Sequence, residues 1–362
     1  MVNLRGRHAA CRHPIRGRVF ESRRESRGSF GGVFPPTSTR RAFLRRAGST
    51  VLAVAGVSVL TSACDADGDE RATTADPSTD AAASADDELV AAALDEATAL
   101  AALYASTLRR HPELRSQLAG ARSDVDEHVE ALSGATGGTD DDTATDRPVP
   151  QTPNAARRLL AAQEERATRH LRRDANRAAS GDLARLLASM AASHAQHVRL
   201  LAPHADAPKA SAAPDPDTIT VEVGPVIDAM NYTLAGEHAA IYAYGVIGGR
   251  LDYGSRPVRE ATAAWEIHRG RRIGLTALVE AGGETPVAAE TGYRLPNDVG
   301  DVAAARTIAQ SVEGRCTVLY ATLAAIAAGE VRAYAVDALI DAAVRGYDWG
   351  APTSALPGVA DA

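Results

Sequence analysis

The sequence is poor in aromatic residues, and this shortage limits the fold classes that the chain can adopt. Aromatic side chains make up 4% of the 362 residues although 45% are hydrophobic, so most of the apolar content is Ala, Leu and Val. β-Sandwiches and barrels use more Tyr, Phe, Trp and Thr than this, whereas Ala favours helix and closely packed bundles. The composition therefore predicts an all-α fold.

Cysteines and the signatures of several enzyme classes are also scarce. The sequence has no Gly-x-Ser-x-Gly hydrolase motif, no Gly-x-Gly-x-x-Gly, no phosphate-binding loop and no Cys-x-x-Cys. Of the three cysteines, Cys11 and Cys64 belong to the N-terminal segment, so Cys316 has no partner. We therefore expect no disulfide, and we interpret Cys316, in an apolar helical row, as a small core residue.

The formal net charge of −7 conceals two oppositely charged parts. Residues 1–63 hold twelve Arg and two Glu, a net charge of +10, so the rest of the chain carries −17. Such an acidic body repels the phosphates of nucleic acids. We therefore predict no nucleic-acid partner and interpret the Arg-rich start as an export address.

Near residue 40 the sequence resembles a twin-arginine export signal. The pair Arg40-Arg41 is followed by Ala42-Phe43-Leu44, and residues 47–63 carry no charge. This uncharged stretch predicts the apolar part of a signal segment that covers residues 1–63. The alternative is a transmembrane anchor, although Gly and Ser dilute the ~20 apolar residues that a spanning helix needs.

The signal segment ends in Leu60-Thr61-Ser62-Ala63-Cys64, which is similar to a bacterial lipobox. Small residues before the cysteine suit the signal peptidase, and the Cys64 thiol would then carry the lipid. Acyl chains contribute ~0.8 kcal/mol of membrane binding for each buried methylene. We therefore predict a lipid anchor on the outer face of the cell membrane. Because Thr61 stands where Leu is commonest, simple secretion is the alternative.

Beyond Cys64 the sequence alternates polar segments with helical runs. Residues 64–87, rich in Asp, Ala, Ser and Thr, predict a disordered tether, and the proline-rich residues 204–218 predict a linker. The segments 88–203 and 219–358 each contain four helical runs with a longer middle connection. Antiparallel four-helix, ferritin-like bundles have this layout, so the sequence predicts two of them in tandem.

Polar residues interrupt the apolar faces of the four C-terminal helices. One such residue per helix falls in an apolar row with steps of three and four, namely Glu237, His268, Glu313 and Asp337. A buried carboxylate is costly unless it is paired or bound to metal. Each helix therefore offers one candidate ligand to a common centre.

The N-terminal half shows a similar set, formed by Glu96, His128, Glu164 and His194. Glu96 and His128 are 32 residues apart, while Glu237 and His268 are 31 apart, which favours two diverged copies of one bundle. Short His/Glu patterns nevertheless recur by chance in charged helices. We therefore favour the plainer interpretation that these residues are partly exposed, with His194 and His197 on the surface.

The run Glu237-His238-Ala239-Ala240-Ile241-Tyr242-Ala243-Tyr244, with His268, Glu313 and a terminal Leu356-Pro357-Gly358, resembles a ferritin-like domain family of high-GC Gram-positive bacteria. The resemblance covers about residues 220–358. It implies a four-helix bundle and no established activity, so it does not decide whether the protein is an enzyme.

Two interpretations of the C-terminal centre remain open. Di-iron bundles take a Glu-x-x-His pair from each of two helices, but Trp265 stands three residues before His268, and the last helix has no such pair. One prediction is a single iron or manganese ion with the ligands Glu237, His268, Glu313 and Asp337. The other is a non-catalytic protein with a metal-free core, in which Arg271 or Arg272 neutralises the carboxylates.

Overall fold

The computed structural model describes residues 77–136, 147–203, 211–221 and 224–359. These residues form eight α-helices and no strand, which confirms the all-α prediction. The N-terminal half contains α1 (Pro77–Arg110), α2 (Arg115–Thr136), α3 (Pro153–Arg177) and α4 (Gly181–Leu201). The C-terminal half contains α5 (Pro225–Arg250), α6 (Arg256–Ala281), α7 (Val302–Ile326) and α8 (Gly329–Asp348).

Capping residues explain where several of these helices begin. The side chains of Thr152, Ser180, Ser255 and Asp301 each accept a hydrogen bond from the backbone N–H three residues on. Such caps satisfy backbone donors that a helix end leaves without a partner. Proline in the first turn of α3, α5 and α6 adds a preset backbone angle and loses no helical hydrogen bond.

Helix α1 begins at Pro77, inside the segment 64–87 that was predicted to be a disordered tether. Two features explain the difference. The stretch from Ala81 to Ala85 is rich in alanine, the best helix former. In addition, the Asp86 carboxylate accepts hydrogen bonds of 2.8 Å from the backbone N–H groups of Ala179 and Ser180. The end of the segment is thereby fixed to the α3–α4 turn.

The halves share one hydrophobic core. Consecutive helices pack as pairs, and α4 also packs against α7 and α8 of the other half. One continuous cluster of buried side chains contains residues from all eight helices, for example Leu89, Leu187 and Leu339. Most side chains of α4 are buried, as expected for a helix that is apolar on nearly every face. All described residues accordingly fall in one compact unit.

Two glycines mark close backbone contacts in this core. A Cβ atom on Gly181, at the start of α4, would lie 2.1 Å from the Ala325 carbonyl oxygen near the end of α7. Gly358 has a φ of 82°, and a Cβ there would lie 2.4 Å from the Thr317 carbonyl oxygen. Gly358 belongs to residues 351–359, here called the C-terminal segment. Residues 355–359 of this segment are buried. Only glycine fits this backbone conformation without strain.

Among the described helices, the Ala81–Arg110 part of α1 is long and apolar enough to cross a membrane by length and composition alone. Its side chains Leu100, Leu103 and Tyr104 are buried in the helical core, and core helices of water-soluble proteins meet the same criterion. The predicted export motif at Arg40 and Arg41 and the predicted lipidation site at Cys64 lie outside the described residues.

Candidate functional site

The C-terminal half contains a buried cluster built around His268 of α6. Its Nδ1 lies 2.7 Å from Glu237 Oε2 on α5, and its Nε2 lies 3.3 Å from Glu313 Oε1 on α7. All three side chains are at most 1% exposed. The two carboxylates therefore bind opposite ring nitrogens of one imidazole.

Tyrosines provide further hydrogen bonds to both carboxylates. Tyr244 Oη donates to Glu313 Oε1 at 2.6 Å, and Tyr320 Oη donates to Glu237 Oε1 at 2.6 Å. The ring of Tyr244 also stacks on His268, with centroids 5.4 Å apart. Glu313 Oε2 is buried and has no hydrogen-bond partner among the described residues.

Two arginines and one further carboxylate complete this cluster. Arg271 of α6 is buried, donates to Asp341 Oδ2 of α8 at 2.6 Å and lies over the Tyr320 ring. Arg345 of α8 hydrogen-bonds to Asp341 and forms an ion pair with Glu313, with Nε 3.0 Å from Oε1. We call Glu237, His268, Arg271, Glu313, Asp341 and Arg345 the C-terminal cluster.

The electrostatic environment of the C-terminal cluster favours the charged forms of Glu237, His268 and Glu313. Burial alone would lower the pKa of His268, but the charges and hydrogen bonds of Glu237 and Glu313 outweigh burial and raise it to about 9. Burial would raise the pKa of each carboxyl, but His268 and the nearby arginines hold the pKa of Glu237 and Glu313 below the usual range. Together with the ion pairs of Asp341 to Arg271 and Arg345, the cluster pairs three acidic side chains with three basic ones.

The structure brings together three of the four predicted C-terminal residues. Glu237, His268 and Glu313 point inward from neighbouring helices, as the apolar rows indicated. Asp337 lies elsewhere: its carboxylate binds Arg172 of α3 at 2.7 Å and Ser211 at 2.5 Å. The buried acid on α8 is Asp341 instead. Its spacing of seven from Tyr334 and four from Arg345 places all three on one helix face, a signal that the sequence contained.

Cys316 is buried and reduced, beside the same centre. Ligand atoms of Glu237, His268 and Cys316 all lie within 4.8 Å of one another. Burial raises the pKa of the Cys316 thiol well above its ordinary value, and the charges of Glu237 and Glu313 add to this effect. The thiol is therefore protonated in this structure and is a poor metal ligand unless a cation displaces the proton.

A second buried cluster lies in the N-terminal half around Glu164 of α3. Its Oε2 lies 2.5 Å from His194 Nδ1, and its Oε1 lies 3.1 Å from His197 Nδ1, both on α4. Tyr104 of α1 donates to Glu164 Oε1 at 2.5 Å. His197 Nε2 lies 3.1 Å from Asp124 Oδ2 on α2. Ligand atoms of Glu164, His194 and His197 lie within 4.8 Å of one another.

His128 of α2 adjoins these residues, and its ring packs edge to face on His194 with centroids 4.8 Å apart. Nε2 of His128 lies 2.7 Å from the Ala355 carbonyl oxygen of the C-terminal segment. Nδ1 is buried and has no hydrogen-bond partner among the described residues. Burial and repulsion from His194 lower the pKa of His128 well below its ordinary value, so the ring is neutral. We call Asp124, His128, Glu164, His194 and His197 the N-terminal cluster.

Charges differ between the histidines of this cluster. Burial alone would lower the pKa of His197, but Glu164 and Asp124 raise it to about 9. Burial would raise the pKa of Glu164, but His197 and His194 hold it well below the usual range. In the described part of the chain, no arginine or lysine forms an ion pair with Glu164 or Asp124, in contrast to the C-terminal cluster.

The expectation that the N-terminal residues are partly exposed is wrong for three of the four. His128, Glu164 and His194 are at most 1% exposed, and His197 is fully buried rather than on the surface. Glu96 is not part of the cluster, because its carboxylate lies 3.2 Å from His170 on the outer side of α3. The i, i+3 pair on α4 and the i, i+4 pair Asp124 and His128 were the signals available in the sequence.

The C-terminal half is similar to a family of proteins. Residues 229–361 match a family described as a domain of unknown function (DUF4439). The matched residues include the whole C-terminal cluster and the whole C-terminal segment, whereas the N-terminal cluster lies outside them.

A conserved hypothetical protein from Mycobacterium tuberculosis, whose crystal structure is known, is 30% identical in sequence to the matched part of this chain. The match covers 35% of this chain and 96% of that one, with a TM-score of 0.33. No curated protein shows significant sequence similarity to the chain.

Proposed function

We propose that this protein is a non-catalytic helical module of ferritin-like architecture, held at the outer face of the cell membrane. In this proposal the C-terminal half keeps the helix arrangement of a metal-binding bundle but fills its centre with a charge-balanced network. The packing of α5 against α6 and α7, and of α7 against α8, supports a four-helix arrangement. The resemblance of residues 220–358 to ferritin-like domains supports the same architecture.

The observation that carries this proposal is the presence of two arginines inside the C-terminal cluster. Arg271, Arg345 and protonated His268 balance the charges of Glu237, Glu313 and Asp341. A divalent cation would have to overcome repulsion from both guanidinium groups, which cannot lose their charge in proteins. A centre whose charges already balance therefore needs no metal.

A single iron or manganese ion in the C-terminal half is the second candidate. It is favoured by the proximity of ligand atoms from Glu237, His268 and Cys316 and by the buried Glu313 Oε2, which accepts no hydrogen bond from the described residues. Binding would require the His268 proton to leave, because a coordinated imidazole uses its lone pair.

Elemental analysis of the purified full-length chain separates the two candidates. We compare the unaltered chain with a Glu237→Gln, His268→Gln double variant, which keeps side-chain size and removes both charges. The charge-balanced network predicts identical iron and manganese content in both proteins. If the double variant contains about one metal ion per chain less than the unaltered protein, the second candidate is favoured.

Export and lipid anchoring are proposed from the sequence. They predict that the full-length chain fractionates with membranes in a Gram-positive host and is labelled by a radioactive fatty acid. A Cys64→Ala variant should lose the label, and an Arg40→Lys, Arg41→Lys variant should remain in the cytoplasm. If the Cys64→Ala variant remains on membranes to the same extent, lipid anchoring at this residue is contradicted.

A further inference from the structure

The N-terminal cluster has the ligand types of a transition-metal site, and no arginine or lysine among the described residues forms an ion pair with its carboxylates. We propose that Glu164, His194 and His197, with His128 as a fourth donor, bind one divalent first-row transition-metal ion. Imidazole and carboxylate groups in this ratio suit Zn²⁺, Fe²⁺ and Co²⁺.

The free nitrogen of His128 is the first observation behind this proposal. A carbonyl oxygen only accepts hydrogen bonds, so the contact with Ala355 fixes the hydrogen of the neutral ring on Nε2. Nδ1 then presents a lone pair that is buried and meets no donor among the described residues. Leaving such an acceptor unsatisfied costs ~1–3 kcal/mol, and a metal ion would remove this cost.

The spacing of the other donors is the second observation. Ligands of tetrahedral zinc lie ~2.0–2.2 Å from the ion, which places neighbouring ligand atoms ~3.3–3.6 Å apart. The ligand atoms of Glu164, His194 and His197 lie within 4.8 Å of one another. Small side-chain shifts therefore suffice to bring them around one ion.

Outer contacts orient these ligands in the manner of known metal sites. Asp124 accepts from Nε2 of His197, which leaves Nδ1 of that ring facing Glu164. Tyr104 donates to Glu164, and the Ala355 carbonyl holds His128. Carboxylate and carbonyl partners of this kind fix the tautomer of ligating histidines and raise their basicity.

Charge balance is the third observation. Glu164 and Asp124 carry two negative charges, and in the described part of the chain only histidines form ion pairs with them. A divalent cation held by Glu164 would balance the charge of both carboxylates. In the C-terminal cluster Arg271 and Arg345 already do this, so the two centres are expected to differ in metal affinity.

The test is metal binding by the full-length chain, unfolded with denaturant, stripped with chelator and refolded with Zn²⁺ or Co²⁺. Refolding is needed because the cluster is closed to solvent. We expect one ion per chain and the visible absorption of tetrahedral Co²⁺. A His194→Gln, His197→Gln double variant should lose at least 100-fold in affinity. The matched control, Glu237→Gln with His268→Gln, should still bind one ion.

A milder variant keeps the test decisive if the double variant fails to fold. Asp124→Asn removes only the orienting carboxylate and should weaken Zn²⁺ binding by about 10–100-fold, with an unchanged circular dichroism spectrum. Absence of stoichiometric zinc in the refolded unaltered chain would overturn the proposal. Loss of the ion in the Glu237→Gln, His268→Gln control alone would also overturn it and would instead support a metal in the C-terminal half.

Discussion

Buried ion pairs in this protein depend on both partners being present. Asp341 is the only acid that contacts Arg271 in the described part of the chain, and it also contacts Arg345. An Asp341→Asn variant should therefore lose ~3–5 kcal/mol of unfolding free energy, because the buried guanidinium group of Arg271 loses its counter-charge. Denaturant unfolding of the unaltered chain and of Asp341→Asn measures this loss.

An exposed aspartate provides the matched control for that experiment. Asp126 forms an ion pair with Arg122 on the surface of α2, where its side chain is 48% exposed. Asp126→Asn should cost at most ~1 kcal/mol, since water screens the pair. Equal losses in the two variants would contradict the assignment of Asp341 to a desolvated network.

The raised pKa of His268 predicts how stability depends on pH. The folded value of about 9 lies above that of an unfolded histidine, so protonation of His268 stabilises the folded state below pH ~6.5. This stabilisation, ~3 kcal/mol, is lost as the pH rises from ~6.5 through 9. The stability difference between the unaltered chain and His268→Gln should shrink accordingly between pH 7 and pH 10. A difference that does not change across this range would show that His268 is neutral.

At the scale of the helix, the close backbone contact between α4 and α7 leaves no room for a side chain at position 181. Gly181→Ala would place a methyl group 2.1 Å from the Ala325 carbonyl oxygen, so we expect ~1–3 kcal/mol of destabilisation. Gly270→Ala in the middle of α6 is the control, because nothing lies within 4 Å of its Cβ position. That variant should gain ~0.5–1 kcal/mol from alanine's helix propensity. Thermal unfolding of both variants gives the comparison.

The helices were more predictable from the sequence than their mutual packing. Proline, glycine and capping residues such as Ser180 and Ser255 are local signals, and the four helical runs predicted in each half correspond to the four helices observed there. The apolar rows also predicted that Glu237, His268 and Glu313 lie in the interior of the C-terminal half. No local pattern indicates that α4 packs between the halves, or that His194 and His197 face Glu164 of the neighbouring helix. The ionic partners Arg172 and Asp337 likewise come from different halves.

For the whole molecule, the shared core predicts unfolding in a single step. Both tryptophans, Trp265 and Trp349, belong to the C-terminal half. Their fluorescence therefore follows that half, while far-ultraviolet circular dichroism follows all helices. We expect the two transitions to coincide in denaturant, because α4 packs directly on α7 and α8. A second helical transition without a fluorescence change would show that the N-terminal half unfolds independently.

The two buried clusters differ in how their carboxylates are neutralised: arginines pair with them in the C-terminal cluster, whereas among the described residues only histidines do so in the N-terminal cluster. Anomalous diffraction from crystals of the chain refolded with Zn²⁺ tests this contrast most directly. We predict a single strong peak among His128, Glu164, His194 and His197, and none beside Glu237, His268 and Cys316. A zinc peak in the C-terminal cluster, or none in the N-terminal cluster, would contradict the account.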